Sequence, residues 1–284
     1  MFFLPLSIPV PAKIHLPKNL EGMGAVHALR GEVVNQVLVK KEISILNIAR
    51  HRNILYLHES FESLEELVMI FEFISGVDIF ERISTASFEL NEREIVNYVR
   101  QVCDALEFLH RHSIGHFDIK PDNIIYFTRR SSVIKIVEFG QARQLRPGDS
   151  FRLHTATDMW SVGALTYILL SGLNPFIAET NQQVIENILN AEYSFEDEAF
   201  KDISIEAMDF IDRLLVKERK SRMTAAEALN HVCLCGSIRH PVVTSRQLSN
   251  EPQFENKLLL QHQIPVCTSI CFSSPNVVIE LSSC

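Results

Sequence analysis

An α+β fold is predicted for this 284-residue chain, with a small strand-bearing part leading into a mainly helical one. Short apolar runs bounded by charged turns mark the first part. Apolar residues at steps of three and four dominate the second, and Thr or Asn stands where those stretches begin. At roughly 150 residues per compact unit, the length allows about two units or one bilobal one. Hydrophobic residues at 46% and charged residues at 22% are globular proportions that exclude wholesale disorder, collagen-like repeats and a coiled coil.

Residues 1–33 carry four prolines by Pro17 and no sustained period, so they stay unassigned. The apolar start from Met1 to Ala12 is broken by Pro5, Pro9 and Pro11 and lacks a preceding positive charge, which argues against a secretory signal. No apolar run reaches the ~18 residues of a spanning helix, so no membrane partner is expected. Val37 to Ala49 reads as a helix. Ile54 to Leu57 and Leu67 to Phe73 read as buried strands linked by the acidic stretch Glu59 to Glu66.

Asn91 followed by Glu94 resembles a capping box, after which Ile95, Val99, Val102, Leu106 and Leu109 recur at helical spacing until Gly115. Ile124 to Tyr126 and Val133 to Val137 flank the polar stretch Thr128 to Ser132 and predict a hairpin. Thr180 with Gln183 and Thr224 with Glu227 match further capping boxes. Ile205, Met208, Ile211 and Leu215 form an apolar stripe between them. From His231 onward charges thin while Ser and Cys accumulate, and 231–284 reads as a loosely ordered tail.

Charge sharpens the exclusions. With 27 basic and 35 acidic residues the net charge is -8, so the chain lacks the basic footprint that displaces phosphate counterions, and no nucleic-acid partner is expected. Cys103, Cys233, Cys235, Cys267, Cys271 and Cys284 show no CxxC spacing and no His cluster, so they read as reduced thiols of a cytoplasmic protein.

The chemistry concentrates in His116-Phe-Asp-Ile-Lys-Pro-Asp-Asn123, a loop between the long helix and the hairpin, and in Glu138-Phe-Gly140 after the hairpin. Asp118, Lys120 two residues on, Asn123 five on and an xFG triplet across a hairpin make a specific pattern. It resembles the catalytic loop and metal-binding motif of the protein kinase family, HRDxKxxN and DFG. Asp158-Met-Trp-Ser-Val-Gly163, like the family's buried helix start, and Arg222 extend the resemblance over 34–230. The wording is most similar to the myosin light chain kinase-like members of the calcium/calmodulin-dependent group.

That resemblance implies a bilobal kinase fold with a truncated β-containing N-lobe (34–73), a hinge (72–77) and a mainly α-helical C-lobe (78–230). It implies ATP and Mg as cofactors and serine/threonine kinase activity on proteins, Lys120 favouring that class. In the family, Asp118 would accept or orient the substrate hydroxyl proton, and Lys120 would steady the transferred phosphoryl group. Asn123 and Glu138 would hold magnesium. Glu42 would pair with a strand lysine, Glu72 to Ile74 would present hinge backbone groups to adenine, and Asp78 would meet the ribose. His116 and Phe139 would pack with Leu46 and Leu57, and the Asp158 carboxylate would accept backbone hydrogens of the catalytic loop.

Departures from the family pattern are equally informative. Glu138 replaces an aspartate, which displaces the metal-binding oxygens by about one bond length, and magnesium tolerates poor octahedral geometry badly. Phe117 replaces the arginine that pairs with a phosphorylated activation loop, so no switch of that kind is expected. Counting back from Glu42 lands on His27 where the strand lysine should stand, and Gly22-Met-Gly24 is too close to it to form a phosphate-covering hairpin. Only 17 residues separate Gly140 from Asp158, with no Ala-Pro-Glu motif; Arg222 is therefore expected to lose the buried glutamate it would pair with. The alternative to a working kinase is a weak or inactive pseudokinase that scaffolds partners of the muscle cytoskeleton, cytoplasmic and sarcomeric in setting. A third reading, an incompletely spliced product, follows from the abrupt loss of resemblance at both ends.

Overall fold

The computed structural model describes residues 25–30, 33–62, 66–84, 90–146 and 151–235. Gly22 to Gly24, the tail beyond residue 235 and its cysteines Cys267, Cys271 and Cys284 lie outside the described residues. The chain opens with β1 (Ala25–Arg30) and α1 (Val33–Ile48), followed by β2 (Leu57–Glu62) and β3 (Glu66–Phe71). The three strands form an antiparallel sheet in the order β1-β3-β2. The centre falls to β3 because its apolar run Leu67 to Phe71 is buried throughout, and only a central strand has backbone partners on both edges.

One strand expectation fails. Of Ile54 to Leu57 only Leu57 enters a strand, while Glu59 to Glu62, read as a turn, form the body of β2. This edge strand is held by its ladder to β3 and needs little burial; Leu57 is its one buried residue, and Lys40 of α1 pairs with Glu62 at 2.6 Å. Ile54 is fully buried instead through a parallel bridge to Ile136. Likewise β3 stops at Phe71, and Phe73 is exposed.

The helical part holds α2 (Ile79–Ile83), α3 (Glu92–Arg111), α4 (Phe151–Ser171), α5 (Asn181–Asn190), α6 (Ile205–Leu214) and α7 (Ala225–Leu229). Asn91 caps α3 by accepting from the Glu94 N–H, acidic residues occupy its first turn and His110 and Arg111 its last, all favourable to the helix dipole. Its stripe Ile95, Val99, Val102, Leu106 and Leu109 is buried against α4 and α7, each large side chain contributing about 2 kcal/mol of transfer free energy. The Thr224–Glu227 capping box is reciprocal, and Thr180 accepts from the Gln183 N–H.

Two details differ from expectation. Phe151 to Thr157 extend α4 by two turns ahead of Asp158, since nothing between them breaks a helix. On α6 the buried positions are Ala207, Phe210, Ile211 and Leu214, whereas Ile205 is exposed; Ile205 is the first helical residue and overhangs the packed face. Between the helices, β4 (Ile114–Gly115) pairs with β7 (Arg143–Gln144), and β5 (Ile124–Tyr126) with β6 (Ile134–Ile136). Among the described residues no helix is long and apolar enough to cross a membrane.

Candidate active site

The C-terminus of α3 delivers the chain into β4, the loop His116 to Lys120, a 3-10 turn Pro121–Asn123 and then the β5–β6 hairpin. Pro121 sits at the first helical position of that turn, where its missing N–H costs nothing. Asn123 accepts the Val137 N–H on its carbonyl at 2.9 Å, so the loop and the strand leading to Glu138 are stitched together by backbone.

This stitching brings Asp118, Lys120 and Asn123 into one cluster. The Asn123 amide nitrogen donates to the Asp118 carboxylate at 2.7 Å and to its carbonyl at 2.9 Å. Lys120 Nζ lies 3.1 Å from the same carboxylate oxygen. Asp118 is half-buried and Asn123 buried, which strengthens these charge-assisted bonds over their value in water.

Beneath the loop, the Asp158 carboxylate accepts the N–H of His116 at 3.0 Å, the N–H of Phe117 at 2.7 Å and the His110 Nε2 at 2.9 Å. Burial acts to raise its pKa, but the bonds and charges of His110 and His116 outweigh it and hold the carboxyl below its ordinary value. His116 is fully buried, its pKa lowered mainly by that burial. Its Nδ1 accepts the Asp118 N–H at 3.2 Å, so the neutral ring carries its proton on Nε2, which faces the Val137 carbonyl at 3.3 Å. The ring meets Phe139 edge-on at 4.8 Å, and Phe139, Leu46 and Leu57 share the core.

Glu138 follows with a positive φ of 58°, and Phe117 with 64°, conformations that cost a non-glycine residue of order 1 kcal/mol or more. The pKa of Glu138 is raised by burial and by Asp118, and lowered by Lys120. Glu42 of α1 reaches this pair and accepts the Phe139 N–H. Burial and the charge of Glu138 push its pKa up to about 7. Where the family pattern calls for a lysine, β1 carries His27, in register with Met69. The carboxylates of Glu42, Glu138 and Asp118 therefore form a chain that Lys120 offsets at one end.

A carboxyl whose folded pKa exceeds its unfolded value of 4.5 takes up a proton on folding. Its burial costs stability above about pH 7, and the cost fades as the pH falls towards the unfolded value. Glu42→Gln, which keeps an acceptor for the Phe139 N–H, is expected to stabilise the chain by ~1–2 kcal/mol at pH 8 and hardly at all at pH 5. Urea unfolding at the two pH values measures this; an equal effect at both would show that Glu42 does not titrate in that range.

Glu72, Ile74 and Asp78 lie on the segment after β3, apart from the loop cluster. The Glu72 carboxylate accepts the Tyr56 N–H at 2.8 Å and pairs with Lys135 at 2.6 Å, while its own N–H donates to the Tyr56 carbonyl. Ile74 packs half-buried against the core. Asp78 caps α2, accepting the N–H groups of Phe80 and Glu81. Arg222, expected to lack its glutamate partner, donates from its guanidinium to the carbonyls of Ala156 and Val216, both at 2.7 Å, and lies over the Trp160 ring. The two added turns of α4 supply the first of those carbonyls.

Sequence reasoning missed His110 and Lys135. His110 continues the buried stripe of α3 one residue past Leu109, and Lys135 is a lone cation inside the apolar run Ile134 to Val137. A polar residue in a buried run was the available signal in both cases.

Known proteins resemble this chain. A family model described as protein kinase domain matches residues 25–154 and 150–234, with the seam in the short stretch between Gly140 and Asp158. Myosin light chain kinase family member 4 of Homo sapiens is 36% identical over 230 residues, covering 75% of this chain and 59% of its own length. Myosin light chain kinase 3 of Rattus norvegicus is 38% identical over 211 residues, 68% of this chain and 27% of its own. The chain thus spans less than two thirds of these relatives. Among solved structures, the autoinhibited serine kinase domain of the giant muscle protein titin is 64% identical, with a TM-score of 0.76, over 83% of this chain and 79% of that one. The twitchin kinase region from C. elegans is 31% identical with a TM-score of 0.72, over 86% of this chain and 46% of that one. The kinase-type loop cluster, its Asp158 support and these matches together establish that the chain belongs to the serine/threonine protein kinase family, alongside the titin, twitchin and myosin light chain kinases.

Proposed function

We propose that this chain binds ATP with magnesium and transfers a phosphoryl group to Ser or Thr hydroxyls of a protein. The observation carrying this reading is the Asp118 carboxylate held by Asn123 and Lys120 at 2.7 and 3.1 Å. Asp118 orients the incoming hydroxyl and takes its proton, and Lys120 meets the transferred group as a cation. Glu72 spends its N–H on Tyr56, so its carbonyl and the backbone of Ile74 remain to meet adenine; Asp78 stands near the ribose.

The donor set suits magnesium in kind. The Asn123 amide is tied down by its nitrogen, which leaves its oxygen for a cation, and the Glu138 carboxyl adds hard oxygen. Among the described residues no three His, Cys, Asp or Glu side chains gather to hold a metal by themselves, so nucleotide oxygens would have to complete the shell. Bound magnesium would supply charge neutralisation at the phosphates. Burial and Asp118 raise the pKa of Glu138 above its ordinary value, and a bound cation would act in the opposite sense.

A second reading, a pseudokinase scaffold, is favoured by one observation: Glu42 is governed by burial and by the charge of Glu138, with His27 where a lysine would neutralise it. The muscle names among its relatives support substrates or scaffold partners in the muscle cytoskeleton and a cytoplasmic, sarcomeric setting. Calorimetric titration with ATP and magnesium, combined with phosphate transfer to Ser- and Thr-containing peptides, decides between the two. Asp118→Asn is expected to lower transfer at least ~100-fold with binding little changed. Binding without Asp118-dependent transfer leaves the scaffold; no binding removes the nucleotide from both readings.

A further inference from the structure

Lys135 is a buried cation in the β5–β6 hairpin that the roles above do not use. It is 8% exposed, and its Nζ reaches two segments: the Glu72 carboxylate at 2.6 Å and the Ile54 carbonyl at 3.3 Å. The same Glu72 oxygen accepts the Tyr56 N–H. One ammonium thus joins the start of the hinge and the stretch Ile54 to Tyr56 to a strand that ends two residues before Glu138.

The backbone around it is held by neutral groups: the Asn53 amide donates to the Ile134 carbonyl at 2.9 Å, and the Ile134 N–H donates to the Gln101 amide oxygen at 3.1 Å. The later hinge is laid along β5 by ordinary main-chain bonds: Ser75 N–H to Phe127 carbonyl at 3.2 Å and Tyr126 N–H to Val77 carbonyl at 2.9 Å. Gly76 permits that approach, since a Cβ there would collide with the Tyr126 carbonyl. Asn53 and Leu55 are bonded to Ile136 on the other flank. At the start of the segment, Glu72 adds to its main-chain bond with the Tyr56 carbonyl a charged side-chain tie to Lys135.

Stability alone does not call for that pair. Removing an ammonium and a carboxylate from water costs about as much as their attraction returns, and an apolar pair of similar volume usually does as well or better. What the ion pair adds is direction: a short, charge-assisted bond fixes where the hinge begins relative to the hairpin.

We propose that Lys135 is a positioning residue for adenine recognition, holding the Glu72–Ile74 backbone in register through the Glu72 carboxylate. The role rests on the nucleotide-binding reading above. It would act on the base and not on the phosphates, so its signature is selectivity between purines.

The test measures calorimetric affinities for magnesium ATP and magnesium GTP, together with unfolding midpoints, for the full chain, Lys135→Met and the double variant Lys135→Met/Glu72→Gln. The single variant leaves a half-buried carboxylate without its cation and is expected to lose stability; the double variant removes both charges and is expected to recover it. Both should bind ATP about tenfold more weakly while GTP affinity hardly moves, the size of one lost charge-assisted bond. A double variant that keeps the ATP preference of the natural chain, or loses affinity for both nucleotides in parallel, overturns the role of Lys135. A natural chain that binds neither nucleotide overturns the nucleotide reading itself, and this role with it.

Discussion

Asp158→Ala is expected to lower the unfolding midpoint by about 10 °C and to remove any Asp118-dependent transfer. The carboxylate is 1% exposed and is the shared acceptor of two backbone N–H groups and His110. Deleting it leaves those donors in a site too small and dry to replace them with bulk water, a loss of ~3–5 kcal/mol for a buried charged partner. For a folded body of this size each kcal/mol shifts the midpoint by roughly 2–4 °C. The effect on the proposed chemistry is indirect: His116 and Phe117 immediately precede Asp118, so freeing their N–H groups frees the carboxylate proposed as the base.

Asp158→Asn gives the discriminating comparison. One oxygen still accepts, so part of the stability should return, whereas the negative charge facing His110 does not. Because the folded-state pKa of Asp158 is held below its unfolded 3.8, its contribution is present above that value and is lost as the pH falls below it. If Asp158→Ala unfolded at the same midpoint as the natural chain near pH 7, the description of this carboxylate as the anchor of the loop would be wrong.

The second large effect falls on Gly115. A Cβ at this position would lie under 3.0 Å from three carbons of the Phe117 ring. The ring is 4% exposed, and its backbone is held at φ 64° with the N–H bonded to Asp158, so it has nowhere to retreat. Gly115 is itself paired with Arg143 across β4 and β7, which prevents the strand from giving way. Gly115→Ala should therefore cost ~2–3 kcal/mol, at the upper end of overpacking by one methyl group.

The physical cause can be isolated with a double-mutant cycle. In a Phe117→Ala background the space is open, and Gly115→Ala should then cost little, a coupling of ~2 kcal/mol between the two sites. Equal penalties in both backgrounds would locate the strain elsewhere. The pair also explains how a bulky apolar residue occupies the place of the family's arginine: it fills a volume that the neighbouring glycine vacates.

Much of the fold was legible in the residues themselves. The α3 stripe and its Asn91 cap, the Thr224 box and the hairpin all follow from local rules, because helix capping and side-chain periodicity act over a few residues. The spacing Asp118, Lys120, Asn123 likewise marked the site, since a tight loop with a proline-started turn brings those positions together whatever surrounds it. Glu59 to Glu62 resisted such reading. An edge strand is stabilised by its neighbour's ladder, and nothing in its own charged composition announces that neighbour.

What the amino-acid order determined, then, is which side chains enter the Asp118 loop and which helices frame it. What only the folded arrangement decided is their electrostatic condition. Glu42 titrates near neutrality because the fold buries it against Glu138, which stands 96 positions along the chain. Arg222 finds the Ala156 carbonyl because α4 begins two turns early. Lys135 of the hairpin pairs with Glu72 across 63 residues of sequence. Coulomb energies and desolvation depend on distance and burial in space, and neither quantity is written in the order of residues along a chain.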